Sequence, residues 1–403
     1  MWLAGWAARR EPASGTSLDL FAKALTLEDA TGQRMVIVTL DLIAIPRGLA
    51  AALAAEVRGR WKIPRARLLL NASHTHTGPE VRPSKVPFFE IPAEFAARIE
   101  PYVSDLQAKI MTVIGSALED VRPANLSVHH AQVGFPQNRR SADGPMDREV
   151  PILQVAGLDG TPRAILFGLA CHNLALPPEF CQYHGDYAGV AQLALEAALP
   201  GSTALFLAGA GADQDPAPRG TLELTKTHGQ ELARAVQTAL AQPGRAITGA
   251  SRAALEEIEL DFLPLPSIES LENEAKSGDL PQRRKAKFLL AGLTQRREFP
   301  RSYPCPVQAL RLGDELLLIA LGGEPVVDYA LQFKSEFAGP LVWTAGYSND
   351  GFGYVPNQRV RREGGYEGTR SVLWSELPMP FAETVEERVV ETVRRLVRRV
   401  SRE

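Results

Sequence analysis

The chain has 403 residues, 45% hydrophobic and 23% charged, which supplies ample apolar material for a globular core. A formal net charge of -3 argues against a partner that is a nucleic acid, since such binders carry a basic face. Cys171, Cys181 and Cys305 form no Cys-x-x-Cys pair and leave one over, which excludes a disulfide framework, and no run of about 18 uncharged apolar residues is available to span a bilayer.

The apolar opening, Met1 to Ala8, runs into Arg9-Arg10-Glu11, the wrong order for a secretory signal, so a cytoplasmic location is expected. Strands are predicted at Leu18 to Leu27 and at Met35 to Leu40, the second rich in β-branched residues and ending at Asp41, read as a capping carboxylate. A helix from Leu49 to Trp61 stops before Pro64, and the next strand, Leu68-Leu69-Leu70, leads into Asn71-Ala72-Ser73-His74-Thr75-His76-Thr77-Gly78-Pro79. If that strand continues, His74 and His76 share a face at its carboxyl end, a pairing suited to metal binding or proton transfer and equally open to plain packing. A long helical pattern covers Ala93 to Leu118, and strands follow at 125–133, 152–155 and 164–169.

The last of these delivers Ala170-Cys171-His172-Asn173. Beyond His184-Gly185-Asp186 a helix is predicted from Val190 to Ala198. A strand, Thr203 to Leu207, then empties into Ala208-Gly209-Ala210-Gly211-Ala212-Asp213-Gln214-Asp215-Pro216, whose small residues would let backbone approach something bound. A dinucleotide site is rejected there because the third glycine is missing. Helix 224–241 should leave His228 on the surface, and residues 266–299 read as a charged helical excursion. Strands at 307–312 and 315–321 end in Gly322-Gly323-Glu324-Pro325, where Glu324 could cap the following helix or bind a cation. A further strand, Leu341 to Thr344, runs into the loop Gly346 to Pro356, and the chain closes with an amphipathic helix over 380–399 whose arginines form a solvated face. Without repeats or a clear linker, one domain over 1–403 is expected.

His74, His76, His172, Glu324 and Tyr354 thus all fall near predicted strand ends. With Gly5 to Arg9, Ala24 to Asp29, Thr39 to Leu42, Asn138-Arg139, Gly185-Asp186-Tyr187 and Gly209 to Pro216, they make the chain resemble the amino-terminal catalytic domain of the neutral/alkaline, non-lysosomal ceramidase family. The resemblance implies an α/β fold with two central β-sheets flanked by helices, an αββα-type layered sandwich. It also implies one zinc ion held by His74, His172, Glu324 and Tyr354, with a metal-activated water attacking an amide- or ester-like carbonyl. His76 would stabilise the oxyanion or pass a proton, or else only orient a ligand. Arg139 would hold a polar part of the substrate or form a structural ion pair, while Asp186 and Asp213 would support loops.

Two departures bear on the substrate. The family carries a serine in a Gly-Asp-x-Ser-Pro pattern where this chain has Asp215, a carboxylate that could act as a base or bind sugars or cations. The family's carboxyl-terminal immunoglobulin-like domain is also not expected here. Both favour a small soluble polar substrate such as an amide, a lactone or a carbohydrate derivative over ceramide, with ceramide amidase as the alternative and no stable membrane anchor expected. A non-catalytic structural metal is disfavoured because such sites are closed and cysteine-rich. Nothing in the sequence sets the oligomeric state.

Overall fold

The computed structural model describes residues 1–401. Its strands alternate between two cores, as period-2 geometry requires when both faces of a sheet are covered. In Arg34–Leu40, Val36, Val38 and Leu40 face one core and Met35 and Ile37 the other. Pro162–Leu169 repeats the division, with Ile165, Phe167 and Leu169 against Ala164 and Leu166. Leu316–Leu321 turns Leu317, Ile319 and Leu321 to a third core and Leu316, Leu318 and Ala320 to the shared one.

The shared core lies between sheets, and the other two lie beneath helices. On one side helices Arg47–Trp61, Ile99–Glu119, Asp186–Ala198 and Leu222–Leu240 contribute to the covering core. On the other, Val327–Glu336 and Val385–Ser401 do so. The result is the expected α/β/β/α layering with one refinement. Hydrogen bonding defines three principal sheets of three, five and four strands, together with two small ribbons, and the first two sheets share both of their cores. Asn71 joins those two: it is fully buried, its Oδ1 accepts from Ala208 N at 2.9 Å, and its Nδ2 donates to Gly346 O at 2.8 Å.

Some expectations required correction. Ser251–Asp261 is an eleven-residue strand at the edge of the four-stranded sheet, where no strand was predicted. Its acidic residues are taken up by arginines on both faces: Glu256 pairs with Arg395 of the last helix and Glu257 with Arg47. His228 is buried rather than superficial: its Nε2 lies 2.6 Å from Pro218 O and its ring 4.5 Å from that of Phe135. The 93–118 pattern splits into Ala93–Ala96 and Ile99–Glu119, and the helix expected from Val190 starts at Asp186. Gly209 and Gly211 serve the chain's own packing, since a Cβ on Gly211 would lie 2.3 Å from the Ala170 carbonyl carbon. Among the described residues no helix is long and apolar enough to cross a membrane.

Candidate metal centre

His74 and His76 do meet, but not by strand alternation. The strand Leu68–Ala72 ends before them, and His74 adopts a left-handed backbone with φ 61°. A non-glycine residue held there stores strain, a feature that clusters at functional sites. The turn brings the two rings within 4.9 Å edge-on, and the His74 ring stacks on Tyr347, itself left-handed, at 4.2 Å. Gly5 closes the far side of His76: its φ is +97°, and a Cβ there would fall 2.6 Å from His76 Nδ1. Arg9, buried, donates to the His76 carbonyl at 2.6 Å and ties the amino-terminal segment to this loop.

His172 arrives from the end of Pro162–Leu169 and is fully buried. Glu324 and Tyr354 face each other in a two-residue parallel ribbon, Glu324–Pro325 beside Tyr354–Val355. Four acceptor-capable atoms converge. His74 Nε2 lies 3.3 Å from His76 Nε2 and 3.4 Å from Glu324 Oε2, and His172 Nε2 lies 3.7 Å from that oxygen. One ligand atom from each of the three histidines falls within 4.8 Å of the others. The Tyr354 hydroxyl stands 3.3 Å from His172 Nε2.

Protonation follows from the partners. Carbonyl oxygens only accept, so His74 Nδ1 donates to Ile43 O at 2.7 Å and His172 Nδ1 to Gly211 O at 3.4 Å. Burial lowers the pKa of all three histidines and keeps them neutral. The Nε2 atoms of His74 and His172 therefore face inward, toward His76 Nε2, the Tyr354 hydroxyl and Glu324 Oε2, and among the described residues no hydrogen-bond donor reaches that buried oxygen. A buried carboxylate oxygen with no donor, set among inward-facing imidazole nitrogens and a phenol, is a donor set that a cation fits. His76 differs, because its Nδ1 is buried without any partner.

Arg139 reaches the same corner but is fully engaged. Its Nη2 donates to Tyr354 Oη at 3.0 Å, its Nε to Glu367 at 2.7 Å and its Nη1 to Asp215 at 3.3 Å. Asp215 is shared with Arg219 at 3.2 Å, so its carboxylate is paired on both sides. Asp213 and Asp186 support loops as expected, accepting from Val327 N at 2.7 Å and from Ala175 N at 2.9 Å. Sequence reasoning missed Arg82, Lys85, Tyr366, Glu367 and Trp374. Together with His74, His76, Glu324 and Tyr354 they line a cavity of about 950 Å³ whose apolar wall includes Trp6, Phe89, Phe352 and Met379. The only local sign of Tyr366 and Glu367 is the preceding Gly364-Gly365 pair, both glycines at positive φ.

His184 buttresses the His74 loop, its carbonyl accepting from Thr75 Oγ1 at 2.7 Å and Thr77 Oγ1 at 2.6 Å. Its Nδ1 accepts from Asp186 N at 2.9 Å, and burial takes its pKa down to about 4. An unfolded histidine titrates near 6.5, so in the window between about 6.5 and 4 the unfolded chain binds the extra proton. His184 thus contributes stability that is complete above pH 6.5 and lost as pH falls through 4, about 3 kcal/mol in full. Urea midpoints at pH 7 and pH 4.5 should differ less in His184→Asn than in wild type; an equal difference would contradict this role.

No family model and no curated protein sequence matches the chain. Among solved structures, neutral ceramidase from Pseudomonas aeruginosa superposes with a TM-score of 0.75 at 16% identity, covering 100% of this chain and 72% of that one. A ceramidase complexed with C2 gives a TM-score of 0.75 at 16% identity, covering 97% of this chain and 71% of that one. The layered sheets that carry the histidine cluster are therefore built on the neutral ceramidase fold.

Proposed function

We propose that this chain is a zinc-dependent hydrolase that cleaves an amide- or ester-like bond in a small molecule bound in the cavity lined by His74, His76 and Glu324. The observation that carries this reading is the buried, donorless Glu324 Oε2 facing two imidazole nitrogens whose protons are committed elsewhere. His74, His172 and Glu324 would hold the ion, with Tyr354 beside them as fourth ligand. Zinc bound there would supply a Lewis acid able to make water nucleophilic near neutral pH.

The chain's own groups divide the remaining work. Carbonyl bonds to Nδ1 fix His74 and His172 with Nε2 directed at the centre, the arrangement that orients metal-binding imidazoles. His76 has no such tie and can carry a proton between the reacting atoms and the leaving group at the nitrogen that faces the cluster. Arg139 holds the Tyr354 hydroxyl, while Asp215 and Glu367 hold Arg139, so these residues position the phenol rather than grip substrate.

A soluble polar substrate is preferred because the position of the family serine carries an ion-paired carboxylate. The aromatic wall of Trp6, Phe89 and Trp374 favours a second reading, an amide with a long acyl chain such as ceramide. The test is a hydrolysis panel with zinc-loaded protein: labelled ceramide against soluble amides, lactones and glycosides. Faster turnover of a soluble amide or lactone is expected. Ceramide turnover at a matching rate would reverse the preference, and no turnover of any member would overturn the hydrolase reading.

A further inference from the structure

Seven cationic side chains line the cavity, and most are neutralised by the protein. Arg139 is caged by Asp215 and Glu367, Arg140 pairs with Glu363 and Glu367, Arg219 with Asp215, and Arg284 with Glu90. Arg10, exposed, turns back on the carbonyls of Ala7 and Arg9. Arg82 and Lys85 stand apart from these.

Arg82 is buried and uses Nε and Nη2 in a two-bond fork on the fully buried Glu80, both at 2.7 Å, while its third nitrogen, Nη1, makes no protein hydrogen bond. Lys85 Nζ donates to the Trp374 carbonyl at 2.8 Å and stands 5.8 Å from the centre of the Phe89 ring, with no carboxylate within 4 Å among the described residues. The positive charge of Arg82 adds to burial in lowering the pKa of Lys85 to about 8, whereas Glu80, Glu324 and Glu376 oppose the drop. Of these two cations three residues apart on the cavity wall, only Arg82 holds a carboxylate in direct contact, Glu80. Among the described residues the Lys85 ammonium has no carboxylate in contact, and both side chains keep donors to spare. Arg82 and Lys85 line the same cavity as His74, His76 and Glu324.

Resting on the hydrolase reading above, we propose that Arg82 and Lys85 form an anion subsite for a single carboxylate on the substrate, so that the bond cleaved belongs to an acylated amino acid or a similar carboxylate-bearing amide or ester. A monoanion suits the one ammonium that lacks a carboxylate partner, and that ammonium with a guanidinium edge gives charge-assisted hydrogen bonds to both of its oxygens. The apolar wall nearby, Phe89 and Trp374, would take the acyl portion.

The test uses metal-stripped full-length protein, so that a carboxylate cannot be held by the ion. Titration calorimetry compares N-hexanoylglycine with its neutral analogue N-hexanoylglycinamide. Wild type should bind the carboxylate about tenfold more tightly, the change expected for one charge-assisted contact. That preference should vanish in Lys85→Gln and persist in Lys85→Arg, with thermal unfolding confirming that both variants fold. Equal affinities in wild type, no binding of either probe, or a preference unchanged in Lys85→Gln would overturn the subsite. Hydrolysis of the same probe by zinc-loaded protein is read separately. Binding without cleavage would count against the hydrolase reading and leave the subsite standing.

Discussion

His172→Ala is expected to remove both metal binding and hydrolysis while leaving the fold intact. The imidazole is fully buried, yet it sits on the wall of the cluster and not within a helix-covered core. Its loss takes away one nitrogen lone pair and leaves Glu324 Oε2 facing His74 alone. The fall in zinc affinity should exceed the roughly 10–100-fold that follows loss of a group that merely orients a ligand. Glu324→Gln should act in the same direction for a different reason, by cancelling the one negative charge among three neutral histidines. Circular dichroism and the urea midpoint, measured beside turnover, separate a lost ion from a lost fold.

Arg139→Met carries the second large effect, and it falls on stability as well as rate. The guanidinium binds Glu367, Asp215 and Tyr354 at once, and Glu367 is buried. Breaking a buried pair from one side strands the other charge, which costs about 3–5 kcal/mol when no alternative partner exists. Arg140 also contacts Glu367, and Arg219 contacts Asp215, so a value near 3 kcal/mol is expected. Turnover should fall as well, because the Tyr354 hydroxyl loses the donor that holds it against His172. Arg139→Met combined with Glu367→Gln should cost less than the two single changes summed, since the stranded carboxylate is then gone. Strict additivity in urea unfolding would show that the two groups act independently.

The parts of this site legible in the sequence are those written in local pattern. Buried strands announce themselves by β-branched and apolar runs, and His172 and Glu324 lie just past such runs. His74 and His76 are legible as a pair, but a left-handed turn at His74, not strand alternation, brings the rings together. The strand Ser251–Asp261 is hard to read from sequence because charged residues at its sheet edge, Glu256 and Glu257 among them, break the apolar run that marks a buried strand. His228 was misplaced because one histidine on an amphipathic helix says little about which side it faces.

The remainder of the pocket depends on closure between distant segments. Glu367 meets Arg139 across 228 positions, and Lys85 meets the Trp374 carbonyl across 289. No spacing rule links such residues. The role of Asp215 was open for the same kind of reason, since the sequence showed a carboxylate in place of a serine but not the two arginines that neutralise it.

The central claim is that His74, His172, Glu324 and Tyr354 surround one catalytic zinc ion. The most direct measurement is the metal content of purified full-length protein by mass spectrometry after dialysis against zinc and then against metal-free buffer, with His172→Ala treated in parallel. One zinc per wild-type chain and none in the variant is the result predicted. Zinc absent from the wild type, or retained equally by His172→Ala, would contradict it.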